Sequence, residues 1–243
     1  MIALVQLLLK YAFLEPFGAT TSLDTLGIFL LIVSTVCIAA AGNIINDIND
    51  IETDLVNKPN KIVVGKSISE KTAYNLFIIF NVIGVGIGYY LSNAVGRSGF
   101  FTLFVMISIL LYVYSTYLKQ LFLIGNLVIS ALVALSIVIV GVFELIPNIT
   151  EQNQSLQLIY FKTIWNYAYM AFILNLIREI VKDVEDMEGD SKTGMRTLPI
   201  VIGKEKTKYN IFALSLVTLL VIGYYVVGTL YQNLWAVVYF LLF

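Results

Sequence analysis

The stretch Asn43-Ile-Ile-Asn46-Asp47-Ile-Asn-Asp50-Ile-Glu-Thr-Asp54 closes a run of residues that carries no charge from position 25 to position 46. A bilayer-spanning helix needs about 20 mostly apolar residues, so the run predicts a membrane helix that ends in this polar stretch. On a helix, steps of three and four residues place Asp47, Asp50 and Asp54 within about 60° of one another. Because carboxylates on one face repel each other unless a cation lies between them, the stretch indicates a cation-binding face at a helix end.

A second acidic stripe follows a later apolar run, at residues 163–177. Asp183, Asp186 and Asp190 repeat the same spacing, and Glu179 lies one helical turn earlier on the same face. A single acidic residue in such a place is usually a solvated helix end, but two matching triads next to apolar spans indicate function. Oxygen ligands of this kind suit Mg²⁺, which keeps bound water and shares its coordination sphere with substrate phosphates.

The rest of the chain has the composition of a membrane protein. Of its 243 residues, 59% are hydrophobic and only 13% are charged, with a mean hydropathy of +0.87. Soluble domains are about 45–50% apolar and about 25% charged. We therefore expect one integral-membrane domain over residues 1–243, folded as an all-α, polytopic transmembrane helix bundle. Stretches without charge lie at 25–46, 72–96, 98–118, 120–143, 163–177 and 209–243.

These stretches predict six complete spans and two partial ones. Residues 1–14 and 234–243 have the apolar character of partial helices, and Tyr231-Gln232-Asn233 marks a break before the second of them. Within the uncharged stretch 72–96, the motif Gly84-x-x-x-Gly88 predicts a close contact between two helices. It does not indicate a phosphate-binding loop, since no strand precedes it.

Composition also excludes several kinds of chemistry. The net charge is −1, which does not favour nucleic acid as a partner. The chain has no histidine, and its one cysteine, Cys37, rules out an intrachain disulfide and a cysteine-cluster metal site. Reactions must therefore use carboxylates, Lys and Arg side chains, amides, hydroxyls and backbone groups. No obligate protein partner is evident.

The basic residues predict the orientation in the bilayer. If the loops after the second, fourth and sixth helices share one side, that side holds 12 of the 15 Lys and Arg residues. The other three are Lys10, Arg97 and Lys162. Cytoplasmic loops carry the excess of basic residues in membrane proteins. Both acidic stripes lie on this side as well, so we expect a site on the cytoplasmic side of the cell membrane.

Taken together, these motifs resemble the UbiA-type family of intramembrane prenyltransferases. Asn46-Asp47-x-x-Asp50-x-x-x-Asp54 is similar to the first signature of the family, and Asp186-x-x-x-Asp190, preceded by Asp183, is similar to the second. The family's basic loop and its fourth-to-fifth helix connection are matched by Asn57-Lys58-Pro59-Asn60-Lys61, Gly65-Lys66-x-Ile68-Ser69, Tyr114-Ser115-x-x-Leu118-Lys119 and Gly125-Asn126.

The region from Arg178 to Asp190, together with Thr197-Leu198-Pro199-Ile200, resembles the geranylgeranylglycerol-phosphate geranylgeranyltransferase branch. The family pattern has nine helices. We expect about eight of them in this chain, with both ends of the pattern cut short.

The resemblance implies a Mg²⁺-dependent prenyltransferase in the bilayer, which transfers a prenyl group from a polyprenyl diphosphate to a lipophilic acceptor through an allylic carbocation. It implies catalytic roles for Asp50, Asp54, Asp186 and Asp190. The implied metal ligands are these four together with Asp47 and Asp183. The residues that it implies at the diphosphate are Asn46, Lys66, Tyr114, Ser115, Lys119 and Lys182.

The acceptor stays open at the level of sequence. A prenylglyceryl phosphate would need basic residues, for which Arg178, Lys192 and Arg196 are available. It would also need a base such as Glu179 for its hydroxyl group. An aromatic quinone precursor would instead attack through its π-electrons. A more distant alternative is a cation-coupled transporter, although transporters place their charged groups near the bilayer midplane.

Overall fold

As far as residue 230, each long uncharged stretch lies largely within a helix. A computed structural model describes residues 1–230, in which the regular structure is helical apart from one isolated bridge between Val64 and Ile68. The helices are α1 Ile2–Leu14, α2 Thr25–Asn49, α3 Ile51–Asn57, α4 Glu70–Ala94, α5 Phe101–Thr116, α6 Ile124–Glu144, α7 Gln154–Lys192, α8 Leu198–Ile202 and α9 Lys204–Tyr225.

Five of these helices, α2, α4, α5, α6 and α9, are long and apolar enough to cross a membrane by length and composition. The fifth predicted span, 163–177, is part of α7. The all-α polytopic prediction is therefore confirmed, and the partial helix at 1–14 is present as α1. The predicted partial helix at 234–243 and the break at Tyr231-Gln232-Asn233 lie outside the described residues.

Helix ends follow from local capping. The Asp24 carboxylate accepts a hydrogen bond from the Gly27 N–H at 2.7 Å and so caps α2, while the Ser69 hydroxyl caps α4 through the Thr72 N–H at 3.2 Å. These side chains satisfy amide groups that the first turn leaves without partners. At its other end α2 breaks at Asp50, where φ is −96° and ψ is 2°, and α3 begins at the next residue.

The longest helix reaches well beyond the bilayer. Helix α7 has 39 residues, which correspond to about 58 Å along the axis, whereas a hydrocarbon core is about 30 Å thick. Its apolar segment ends at Ile177, and Asp190 follows 13 residues later, about 20 Å further along the helix. The second acidic triad is therefore held on one rigid helix beyond the apolar segment.

Close packing in the interior joins α2, α4, α5 and α6. A Cβ atom at Gly84 would lie 2.6 Å from Ile38 Cγ1, and one at Gly88 would overlap the ring of Phe104. The Ser34 hydroxyl on α2 donates to the Gly84 carbonyl oxygen at 2.6 Å. The predicted helix contact at Gly84-x-x-x-Gly88 is therefore confirmed, with one glycine against α2 and the other against α5.

A buried ion pair closes the end of the bundle where α2 begins and α6 ends. The Lys10 ammonium group lies 2.9 Å from Glu144 Oε1, and it also donates to the Leu23 carbonyl oxygen at 2.5 Å. The Leu23 N–H donates to the second carboxylate oxygen of Glu144 at 3.1 Å. Three segments of the chain are thus joined by charged groups whose hydrogen bonds are satisfied within the protein.

Candidate functional site

The opposite end of the bundle holds a cavity of about 290 Å³ between α2, α3 and α7. All six of the predicted metal ligands line it, although they come from positions as far apart as 47 and 190. Glu179 and four of the six predicted diphosphate residues also line it: Asn46, Tyr114, Lys119 and Lys182. The fold therefore brings both acidic stripes to one space.

The first acidic motif is organised around Asp50, at the junction of α2 and α3. The Asn46 amide on the preceding turn donates to Asp50 Oδ2 at 2.6 Å. The Lys119 ammonium group, from the connection between α5 and α6, lies 2.5 Å from Asp50 Oδ1 and 3.4 Å from Asn46 Oδ1. These contacts join the first motif to the segment that resembles the family's fourth-to-fifth helix connection.

The second motif is organised by partners from outside α7. The Asn126 amide on α6 donates to Asp183 Oδ2 at 2.8 Å, and the Lys58 ammonium group lies 2.7 Å from Asp186 Oδ2. Asp190 is buried but forms no side-chain hydrogen bond in the described part of the chain. The three carboxylates of the stripe therefore differ in how far their charge is balanced.

The cavity is strongly negative, because seven carboxylates face four ammonium groups in its lining. Burial raises the pKa of Asp190 to about 7, and repulsion from Asp183 and Asp186 adds to the effect. Burial likewise raises the pKa of Asp183 to about 6, against the opposing hydrogen bond from Asn126. The pKa of Asp54 is raised mainly by burial and by Asp50. A cation in this space would stabilise the charged forms of these groups.

The donor chemistry fits a divalent metal ion. Within residues 1–230, no three acidic side chains come close enough together to ligate one ion on their own. Mg²⁺ commonly binds through one or two carboxylates and completes its shell with water and substrate phosphate oxygens. Two facing stripes of carboxylates, open to a cavity of this size, match that mode of binding. The residues available to hold such an ion, one or two at a time, are the predicted ligands Asp47, Asp50, Asp54, Asp183, Asp186 and Asp190.

Some predicted residues lie elsewhere. Lys66 is exposed and donates to the Pro59 carbonyl oxygen at 2.6 Å, outside the cavity lining. Ser115 is buried and accepts a hydrogen bond from the Asn49 amide at 2.9 Å. The three basic residues considered for an acceptor phosphate are exposed and do not line the cavity either: Arg178, Lys192 and Arg196.

Other lining residues were not singled out as site residues from the sequence. Lys58 and Lys61 line the cavity together with the predicted Lys119 and Lys182, whereas the predicted Lys66 does not. Asn126, Thr53 and Thr197 line the cavity as well. The only sequence signal for Lys58, Lys61 and Asn126 was their membership of segments that resemble the family.

Two apolar cavities are lined by helices that also line the acidic one. The first, of about 220 Å³, is lined by α2, α5 and α6 and includes Asn43, one turn before Asp47. The second, of about 280 Å³, lies between α6 and α7 and includes Trp165 and Phe172. Trp165, Phe172 and Glu179 are spaced seven residues apart, so this cavity follows the acidic stripe of α7 into the apolar segment.

Comparison with known proteins identifies the family. The sequence pattern of the UbiA prenyltransferase family matches residues 12–243. The chain belongs to the UbiA prenyltransferase family. The predicted resemblance is confirmed, and members of this family generally depend on a divalent metal.

Archaeal relatives of the chain are named digeranylgeranylglyceryl phosphate synthase. The protein of Korarchaeum cryptofilum is 33% identical over 200 residues, which cover 80% of this chain and 64% of the relative. The protein of Thermococcus gammatolerans is 35% identical over 181 residues, which cover 74% of this chain and 57% of the relative. The chain thus spans somewhat less than two thirds of the length of these relatives.

Solved structures support the fold of this UbiA family member. A structure described as concerning digeranylgeranylglyceryl phosphate synthase in membranes is 27% identical and gives a TM-score of 0.57, covering 90% of this chain and 68% of the other. The apo structure of a UbiA homologue from Aeropyrum pernix K1 is 14% identical, with a TM-score of 0.71 over 93% of this chain and 78% of the other. The apolar helices and the family together indicate an integral membrane protein.

Proposed function

We propose that this protein transfers a prenyl group from a polyprenyl diphosphate, of geranylgeranyl length, to a prenylglyceryl phosphate, with Mg²⁺ as the metal. The observation that carries the proposal is one cavity in which two acidic stripes and four lysines face each other. Because helices that line this cavity also line two apolar cavities, the site suits substrates with an anionic head and a hydrocarbon chain.

The charge balance of the cavity explains the need for a metal. With seven carboxylates against four ammonium groups, the lining would repel a diphosphate. Bound Mg²⁺ would offset this charge and the charge that develops on the leaving diphosphate. Lys61 and Lys182 form no ion pair within residues 1–230, so their ammonium groups are free to face phosphate oxygens.

The proposed reaction exchanges one C–O bond for another. The bond between C1 of the prenyl chain and the diphosphate oxygen breaks, and the diphosphate leaves with both electrons. The hydroxyl oxygen of the acceptor then forms a bond to C1 of the allylic cation and loses its proton. Glu179 is the proposed proton acceptor, since it lines the cavity and its carboxylate lies 2.5 Å from the Arg178 guanidinium group.

Water must be kept from the allylic cation, because it would otherwise capture the prenyl group. The apolar cavities provide this protection, since one is lined mainly by aliphatic side chains and the other by Trp165, Tyr169 and Phe172 among small apolar residues. Two such cavities also suit two prenyl chains, one on the donor and one on the acceptor. The names of the archaeal relatives favour the same acceptor.

The position of the site favours a transferase over a cation-coupled transporter. Both acidic stripes lie at the ends of apolar helical segments, whereas transporter sites lie near the bilayer midplane on broken helices. The excess of basic residues on the same side supports a cytoplasmic orientation for this end of the bundle. Both substrates would then enter with their heads at the cytoplasmic surface.

Diphosphate release from detergent-purified protein tests the proposal. The protein would be given geranylgeranyl diphosphate and Mg²⁺ with either geranylgeranylglyceryl phosphate or 4-hydroxybenzoate. We expect release with the glyceryl phosphate alone. Release with 4-hydroxybenzoate alone would replace the acceptor by an aromatic ring. Release with neither would overturn the transferase assignment, and ion-flux measurements would then test the transporter.

A further inference from the structure

Asn57 is the last residue of α3 and lies one turn after Asp54 of the first acidic motif. Its side chain reaches across to α7 rather than to its own helix. The amide nitrogen donates to the Asp186 carbonyl oxygen at 2.9 Å, and the amide oxygen accepts from the Gly189 N–H at 2.8 Å. One side chain therefore binds the backbone of α7 in two places, between Asp186 and Asp190.

This close approach explains the glycine in the second motif. A Cβ atom at position 189 would lie 2.5 Å from Asn57 Nδ2 and 2.6 Å from Asn57 Cγ, distances at which atoms overlap. Glycine is unfavourable inside a helix compared with alanine. Its presence in the interior of α7 is accounted for by the space that the Asn57 amide occupies.

The next residue strengthens the same junction. Lys58 pairs with the Asp186 carboxylate at 2.7 Å, so the backbone and the side chain of Asp186 are both held from the end of α3. The other side-chain hydrogen bond that joins α3 to α7 in the described residues is a long one, 3.4 Å between the Thr53 and Thr193 hydroxyl groups. The junction at Asn57 is therefore the strongest polar link between the two helices.

We propose that Asn57 and Gly189 form a clasp that sets the spacing and register of the two acidic stripes. Asn57 is a positioning residue in this proposal, since its amide binds backbone atoms of α7 and is not among the groups that line the cavity. The clasp deepens the proposed function, on which its predicted effect on turnover rests. Its effect on the spacing of α3 and α7 does not depend on that function.

A double-mutant cycle tests the clasp through turnover. Asn57→Ala removes both hydrogen bonds, and Gly189→Ala places a methyl group where the amide lies. We expect each single variant to lose about 10- to 100-fold in turnover and to need correspondingly more Mg²⁺ for half-maximal rate, as when a partner that orients metal ligands is removed. In Asn57→Ala, the further change Gly189→Ala should cost little, because the space is then free.

Two matched variants control for the type of substitution. Asn93 is an exposed helical asparagine whose amide bonds only to its own helix, and Gly86 has open space around its Cβ position. Asn93→Ala and Gly86→Ala should leave both the turnover and the Mg²⁺ requirement within twofold of the parent protein. Full additivity in the cycle, or an unchanged Mg²⁺ requirement in Asn57→Ala, would overturn the proposal.

A distance measurement tests the clasp without turnover. Spin labels at Leu55→Cys on α3 and Glu188→Cys on α7, in a Cys37→Ser background, report the separation of the two helices. We expect a single narrow distance distribution in the parent and in Asn93→Ala, and a broader or shifted one in Asn57→Ala. If the parent protein showed no transferase activity, a changed distribution would still support the clasp. An identical distribution would refute it in either case.

Discussion

The two ends of the helix bundle use lysine–carboxylate pairs in different ways. At one end, Lys10 and Glu144 have side-chain exposures of 1% and 0% and share hydrogen bonds with Leu23. At the other end, the pair of Lys58 and Asp186 is exposed by 31% and 14%. The first pair is enclosed by protein, whereas the second borders a cavity.

The difference lies in whether charge is balanced. In the enclosed pair the buried ammonium group faces one buried carboxylate and, at 3.4 Å, the partly exposed carboxylate of Glu15, and the backbone completes the hydrogen bonds. The acidic cavity has three more carboxylates than ammonium groups in its lining, so its pairs leave negative charge that only a ligand can balance. We therefore expect the buried pair to serve folding and the open, unbalanced cluster to bind cations.

The largest effect is expected from removing charge in the cavity. Asp50→Asn or Asp186→Asn should lower diphosphate release at least about 1,000-fold, since a bound metal contributes several kcal/mol to charge stabilisation. Steady-state release measurements on detergent-purified variants check this. Glu52 is exposed and does not line the cavity, so Glu52→Gln should stay within twofold of the parent. Full activity in both aspartate variants would show that the cavity is not the metal site.

The enclosed pair should respond in stability rather than in catalysis. Lys10→Met or Glu144→Gln leaves a buried group without its partner, which costs about 3–5 kcal/mol. Thermal unfolding in detergent should show a clearly lower melting temperature, while the folded fraction keeps its turnover number. The double variant Lys10→Met/Glu144→Leu should recover most of the loss, because no buried charge is left unpaired and Glu15, the other partner of Lys10, is partly exposed. A loss of turnover in well-folded single variants would contradict the distinction between the two ends.

Adding Mg²⁺ should stabilise only one end. A ligand that binds the folded state alone adds about 2.7 kcal/mol at 100 times its dissociation constant. The melting temperature of the parent should therefore rise with Mg²⁺, and the same rise should be seen in Lys10→Met. It should be much smaller in Asp186→Asn. An equal rise in all three proteins would indicate a salt effect instead of a site.

The smallest effect is expected at an exposed pair on the same helix as the second motif. Lys192 and Glu188 lie 2.7 Å apart, four residues from each other, and both are exposed. Exposed pairs of this kind contribute about 0.3–0.5 kcal/mol. Lys192→Ala should therefore leave turnover within twofold, whereas Lys58→Ala should reduce it about tenfold or more by releasing Asp186. Similar losses of turnover in the two variants would contradict a specific role for the lysine that lines the cavity.

Hydropathy and spacing predicted much of this architecture. The uncharged runs marked the long helices, and the steps of three and four residues placed all six aspartates on faces that meet in the cavity. These features depend on near neighbours along a helix, so they can be seen in one sequence. The break at Asp50 did not disturb them, because α3 resumes at the next residue.

Contacts between distant segments could not be predicted in this way. Lys10 and Glu144 are separated by 134 positions, and nothing local indicates that they meet. Lys66 and Ser115 were chosen for their motifs, but loop geometry turns Lys66 to Pro59, and Ser115 bonds to Asn49. Asn57 was noted only as part of a basic loop, because its role depends on the path of the chain between α3 and α7.

The length of α7 has a consequence for how the two products of the proposed reaction leave. The helix carries its acidic stripe beyond the apolar segment, while the aromatic residues that line the apolar cavity, Trp165, Tyr169 and Phe172, lie within that segment. A water-soluble product released at the stripe is already at the aqueous boundary, and a product with two hydrocarbon chains is already in contact with the bilayer. The same helix would thus sort products by solubility, so that each enters its own phase without crossing the other.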